Sequence, residues 1–232
     1  KYQIEKIWAH QETGVMTTYK RDLELIRWCK VRHIYFEEHL QQGVFRGMKN
    51  RNNWLKKWNH LMKERIHPIL LKRESFLSFR ELNDLTRELI PVKLDTKIHP
   101  LRQVGGTTNA MRYLNSFFKD RYRNYQKHIS KPDLSRKSCS RLSPYLAFGN
   151  LSMRQLLQKT EEEIVKGNKS FALKAFGSRL RWQSHFIQKF EMECSMEFES
   201  INKGYHLLKK PINKKYIHAW EAGQTGVPLV DA

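Results

Sequence analysis

From Thr107 to the end of the chain, apolar residues return at spacings of three and four in one segment after another. That period belongs to helices packed on one face and is incompatible with the two-residue alternation of strands. "TTNAMRYLNSFFKDRYRNYQKH" places Met111, Leu114, Phe118 and Tyr125 on one stripe, with Thr107 or Thr108 expected to cap its start. Ser152 is placed to cap "MRQLLQKTEEEIVK" and Gly167 to end it. Ser170 is placed to cap "FALKAFGSRLRWQSHFIQKFE", where Leu173, Phe176, Leu180, Ile187 and Phe190 make the apolar face.

The front of the chain reads differently. "YQIEKIWAH" is expected to form a strand, and "YKRDLELIRWCKVR" a helix with Leu23, Ile26 and Trp28 on nearly one side. "HIYFEEHL" follows as a second strand, and "NRNNWLKKWNHLMKER" as a helix carrying Trp54, Trp58 and Leu61 at spacings of four and three. Strand–helix–strand–helix order predicts a parallel sheet. Two strands cannot cover both faces of such a sheet, so residues 1–65 read as the trailing part of an α/β domain whose front lies outside the chain. Residues 66–106 carry Pro68, Pro91 and Pro100 and end in Gly105-Gly106, which predicts a connection with short helical pieces. The expected fold class is therefore mixed: an incomplete α/β segment, then a mainly α-helical domain over 107–232.

Charge narrows the partners. Lys and Arg number 43 against 23 Asp and Glu, a formal +20. Such an excess favours polyanions, DNA first, over acidic or neutral surfaces. The three cysteines, Cys29, Cys139 and Cys194, lie far apart and contain no Cys-x-x-Cys, so neither a disulfide framework nor a metal site is expected. A reducing, cytoplasmic compartment is the expectation. No apolar run is long enough to span a bilayer. The chain opens on Lys1 without an initiator Met or a leader pattern, so its start is expected to be internal. A monomer is the expectation, although the sequence does not fix the oligomeric state.

One stretch stands out chemically. "SCSRLSPYLAFGNLS" sets Ser140, Arg141 and Ser143 together just before an apolar helical run. Two hydroxyls, backbone N–H groups and a guanidinium can converge on an anionic group such as phosphate. The same residues also suit a plain turn with serine caps, and the local sequence leaves both readings open. Arg136 reads as part of the loop outside this cluster.

Four stretches in order carry a resemblance: "GGTTNAMRYLNSFFKDRYRNYQ", "CSRLSPYLAFGNLSMRQ", "RLRWQSHFIQKF" and "HAWEAGQTGVPLVDA". Together they resemble the photolyase/cryptochrome family over residues 105–232, with a weaker match of residues 1–65 to the end of its α/β antenna domain. The resemblance implies a light-driven DNA photolyase, a carbon–carbon lyase repairing pyrimidine dimers by electron transfer from FAD. The alternative within the family is a cryptochrome-like FAD photoreceptor without repair activity. FAD is the implied cofactor, together with an antenna pigment of unidentified chemistry, and damaged duplex DNA is the implied partner. Residue by residue, the resemblance puts Ser140, Arg141, Leu142 and Ser143, with Tyr125 upstream, at the FAD diphosphate. It puts Arg179 and Trp182 at the DNA lesion and Gln183 toward the flavin.

The sequence departs from the family pattern at several of these positions. Cys139 stands where the family has Thr, and a thiol is a weak donor, so a contact worth ~1 kcal/mol is weakened or lost. Arg179 replaces a carboxylate and Gln183 an arginine, yet residues 179, 182 and 183 still share one helical face. The reversed charge at Arg179 argues against dimer repair by the usual route. Trp182 otherwise reads as core, as does Trp220, and Asp231 belongs to the last motif without an assigned role. Lys210 falls roughly where some members carry an outer tryptophan. The chain stops at Ala232, before the family's remaining flavin-ring residues, so weak FAD binding by these 232 residues alone is the expectation.

Overall fold

A parallel pair of short strands opens the fold, and every other regular element among the described residues is helical. The computed structural model describes residues 3–68, 72, 76–87, 102–167, 170–209 and 211–231. They form two compact units, Lys1–Met192 and Glu193–Ala232.

In the first unit, β1 (Lys6–His10) and β2 (Tyr35–His39) pair in parallel, with Lys6 opposite Tyr35 and Ile7 opposite Phe36. The crossover is α1 (Met16–Val31). On one sheet face the Lys6 ammonium lies 4.9 Å from the Trp8 ring and 4.7 Å from the Tyr35 ring, both exposed. A cation that shields aromatic faces lets this face stand in water. Trp28 does not turn inward as its spacing suggested: it is 42% exposed, and the Arg32 guanidinium lies over its ring at 4.4 Å. Asp22 and Cys29 are buried instead. They are seven residues apart, two full turns, whereas Trp28 is rotated by about 100° from Cys29.

After β2 the chain turns through Gly43 and enters α2 (Trp54–Lys63), which buries Trp54, Trp58 and Met62. Gly43 has φ +71, and a Cβ there would sit 2.4 Å from Trp58 Cδ1. No other residue fits between the turn and the indole. Trp54 Nε1 donates to the Gly43 carbonyl at 3.1 Å, which fixes the same contact from the other side. In the connection, α3 (Phe79–Thr86) is started by a Ser78–Glu81 capping box. Pro91 and Pro100 lie outside the described residues.

The helical core uses α4 (Thr107–Lys119), α5 (Tyr125–His128), α6 (Pro132–Ser138), α7 (Ser143–Ala147), α8 (Met153–Val165) and α9 (Ser170–Met192). Ser152 caps α8 through a reciprocal capping box with Gln155, and Gly167, at φ +79, follows its end. The side chain of Ser170 lies outside the described residues. Neither Thr107 nor Thr108 caps α4. Gly106 does, at φ +95 and without a side-chain bond, because both threonines already lie inside the helix. Met111 is exposed, while Leu114, Phe117 and Phe118 are buried. Tyr125 still joins them, after a 3-10 turn over Arg121–Asn124 has re-aimed the chain. Arg136 lies in α6 and not in a loop.

The second unit holds two 3-10 turns, α10 (Lys214–Glu221) and α11 (Pro228–Asp231). Asp231 accepts from the Thr225 N–H at 2.8 Å, the Thr225 hydroxyl at 2.5 Å and the Gly226 N–H at 2.9 Å. These bonds, the Thr225 hydroxyl foremost, hold its carboxyl below the usual range. Its role in the motif is thus to close the turn 225–231. Trp220 is 63% exposed rather than core. Lys210 lies outside the described residues.

Candidate functional site

The loop from Cys139 to Leu142 joins α6 to α7, and it is polarised. Each of its four carbonyls is occupied from the protein side. Arg121 Nη1 donates to the Cys139 carbonyl and Nη2 to that of Ser140 at 3.3 Å. Gln103 Nε2 donates to the Arg141 carbonyl at 3.0 Å, and the Leu146 N–H to that of Leu142 at 3.0 Å. The N–H groups of Ser140, Arg141, Leu142 and Ser143 have no acceptor among the described residues. Arg141 stands at φ +57, followed by Leu142 in the right-handed region. Successive N–H groups alternating in this way form the concavities that hold anions.

Packing explains why the loop keeps this shape. The Leu142 side chain is fully buried, so only its backbone faces outward. Tyr145, also buried, donates its hydroxyl to the Val104 carbonyl at 2.8 Å and sets its ring 5.6 Å from Tyr113. The Arg141 guanidinium lies over the same Tyr113 ring at 5.6 Å. Ser140 is partly buried and Ser143 exposed. Across the turn, His128 Nδ1 and the buried Ser138 hydroxyl are 2.6 Å apart, tying α5 to α6.

Tyr125 comes to this loop from α5. Burial, with Cys139 adding to it and Arg179 opposing it, pushes its hydroxyl up to about 12. Tyr125 therefore stays protonated and able to donate. The raised folded value means that its contribution to stability is complete below the ordinary tyrosine value of about 10 and is lost as pH rises through about 12. Wild type should lose about 2–3 kcal/mol over that window that Tyr125→Phe does not lose. Urea midpoints of the two proteins between pH 9 and pH 12 measure this, and parallel declines would show that the hydroxyl ionises freely.

Arg179 reaches the site from α9. It is close enough to Tyr125 to oppose that shift, and its guanidinium lies 4.6 Å over the Trp182 ring. Trp182 is 47% exposed rather than core, in edge contact with Phe186 at 6.0 Å. Gln183 shares this face and has no polar partner among the described residues. No hydrogen bond among the described residues joins Ser140 or Ser143 to Tyr125, Arg179 or Gln183. The structure thus brings Tyr125, Cys139 and Arg179 together and reaches Trp182 only through Arg179.

On the neighbouring side of α9 lies a cleft of about 730 Å³ lined by Arg51, Trp54, Arg181, Trp182, His185 and Phe186 among others, none acidic. Arg51 Nη1 and His185 Nε2 are 3.0 Å apart. Burial and the nearby Arg51 and Lys189 hold His185 below its ordinary value, so the neutral imidazole accepts from Arg51. Among the described residues, no group of three or more His, Cys, Asp or Glu is placed to hold a metal, and no helix is long and apolar enough to cross a membrane.

Sequence reasoning missed Arg121 and Gln103 at the loop and Arg51 and His185 at the cleft. The partners of Arg121 and Gln103 are mainly backbone carbonyls, which no residue pattern displays. Arg51 and His185 are separated by 134 positions.

A family profile described as the FAD binding domain of DNA photolyase matches residues 176–232, which include the stretch carrying Arg179, Trp182 and Gln183. Among curated relatives, the deoxyribodipyrimidine photo-lyase of Vibrio cholerae is 31% identical over 121 residues, 51% of this chain and 25% of that protein. Cryptochrome-2 of Arabidopsis thaliana is 32% identical over 135 residues, 55% of this chain and 21% of that protein. The matched stretch thus spans about a quarter of the length of these relatives. Among solved structures, a class III photolyase from Agrobacterium tumefaciens superposes with a TM-score of 0.64 at 15% identity, over 98% of this chain and 49% of that one. A Synechocystis cryptochrome does so with a TM-score of 0.64 at 17% identity, over 98% and 50%; at such identity these two speak for the fold. The profile, the curated relatives and the fold thus agree that the chain is similar to the photolyase/cryptochrome family, the matched profile being that of its FAD-binding domain.

Proposed function

We propose that the loop Ser140–Ser143, with Tyr125, holds the diphosphate of FAD, and that the protein is a photolyase acting on pyrimidine dimers in DNA. The observation that carries the first part is the polarity of the loop: four N–H groups without an acceptor among the described residues, and four occupied carbonyls. The donor set fits a diphosphate, since residues 138–146 add hydroxyls and one guanidinium and contain no carboxylate. Ser140 and Ser143 supply hydroxyl donors, Leu142 only its N–H, and Arg141 a positive charge held beside the loop by Tyr113. Tyr125, kept protonated, donates from the α5 side. Gln183 faces the flavin. Bound FAD supplies light absorption and one-electron transfer, while the chain's own residues bind, orient and shield. In this reading residues 1–65 are the C-terminal part of an α/β antenna-like domain, 66–106 the interdomain connection and 107–232 the N-terminal half of a helical FAD-binding domain.

Repair is supported by the cleft. Trp182 and Phe186 offer exposed aromatic faces for an unstacked base, and Arg51 and Arg181 stand ready for phosphates. The photoreceptor reading is supported by a different observation: the Arg179 guanidinium covers one face of Trp182 at 4.6 Å, where a base would otherwise stack.

FAD titration tests the loop. Arg141→Ala should weaken binding about tenfold, and Arg136→Ala, exposed on α6, should leave it within twofold. Equal effects would reduce the loop to a structural turn. Titration with dimer-containing and undamaged duplexes across a salt series separates the two functions. A preference for the dimer, on top of an attraction that falls steeply with salt, supports repair; indifference to the dimer supports the photoreceptor.

A further inference from the structure

We infer that Arg121 and Gln103 are positioning residues that aim the loop's N–H groups at the diphosphate, an inference that rests on the FAD reading of the loop. All described peptide bonds are trans. In a trans peptide the carbonyl of one residue and the N–H of the next point in opposite directions across a rigid plane. A donor that captures a carbonyl therefore also directs the following N–H. Arg121 captures the carbonyls of Cys139 and Ser140, and so turns the N–H groups of Ser140 and Arg141 to the other side. Gln103 captures the carbonyl of Arg141 and does the same for the N–H of Leu142. Without these tethers the peptide planes are free to rotate and present carbonyl oxygens, which repel phosphate.

The tethers also hold a backbone that would otherwise relax. Arg141 is a non-glycine residue at φ +57, a conformation disfavoured for L-residues. Arg121 is itself immobilised. Its Nη2 donates to the Tyr113 carbonyl at 2.7 Å and the Ser116 hydroxyl at 3.0 Å, and its Nε to the same hydroxyl at 3.2 Å. The guanidinium lies 5.8 Å from the Tyr113 ring and 5.7 Å from that of Phe117. It has no carboxylate partner among the described residues, so its charge is left for an anion at the loop. Guanidinium geometry matters here, because one planar group must serve two consecutive carbonyls while remaining anchored to α4.

The experiment compares FAD with riboflavin, which lacks the phosphates, in the 232-residue chain and its variants. Wild type should bind FAD more tightly than riboflavin. Arg121→Met, which keeps the aliphatic stem, should lose about tenfold or more in FAD affinity with riboflavin within twofold. Arg121→Lys, which keeps the charge but not the planar fork, should recover less than half of the loss. Gln103→Ala should lose about threefold for FAD alone, and it decides the matter if Arg121→Met fails to fold. Wild type that does not prefer FAD would overturn the diphosphate reading itself. Wild type that prefers FAD, with variants that keep the preference or lose both ligands equally, would overturn the positioning role and leave that reading standing.

Discussion

Replacing Phe117 by alanine is expected to cost about 3–5 kcal/mol of folding stability, the largest effect of any single change considered. Phe117 is fully buried in the last turn of α4. Its ring lies 4.7 Å from Phe176 on α9, 5.8 Å from Tyr125, 5.4 Å from Phe118 and 6.4 Å from Tyr122. The contacts with Phe118, Tyr122 and Tyr125 are edge-on, the arrangement in which aromatic quadrupoles attract. Truncation removes these contacts and leaves a cavity that rigid helices on two sides cannot close. The same ring backs Tyr125 and the Arg121 guanidinium, so FAD affinity should fall together with stability. Urea unfolding measures the cost. A loss under about 1.5 kcal/mol, the range of tolerated core swaps, would mean that the aromatic cluster is loosely packed.

Gln188→Leu should cost about 2–5 kcal/mol, for a different reason. Gln188 is fully buried in α9, and its amide clasps one backbone residue twice. The Phe45 N–H donates to Oε1 at 2.7 Å, and Nε2 donates to the Phe45 carbonyl at 3.0 Å. Leucine fills nearly the same volume, so little cavity forms. What remains is one N–H and one carbonyl without partners, each costing about 1–3 kcal/mol where water does not reach them. The clasp holds the turn between β2 and α2, and with it the approach to Arg51, against α9. Hydrogen exchange gives a local readout: protection of the Phe45 amide should collapse while that of the α8 amides follows only the global loss. Unchanged protection at Phe45 would show that the amide pair is not what holds the turn.

The sequence by itself determined the helical class of residues 107 onward, the short parallel sheet before it, the start of α8 at Ser152 and its stop at Gly167. These follow from periodicity, capping chemistry and glycine's freedom, all of which act within a few residues. It also marked Ser140, Arg141 and Ser143 as a group suited to an anion, because their chemistry is local. It misplaced Trp28 and Met111, since the helical face that turns inward is chosen by neighbours far along the chain, and it missed the cap of α4, which begins at Thr107 itself. Only the tertiary structure decided which way the loop's peptide planes face. Arg121 and Gln103 set that by binding backbone carbonyls, groups common to every residue and so silent in sequence. Only it could join Gln188 to Phe45 across 143 positions, since packing, not spacing along the chain, brings such partners within reach.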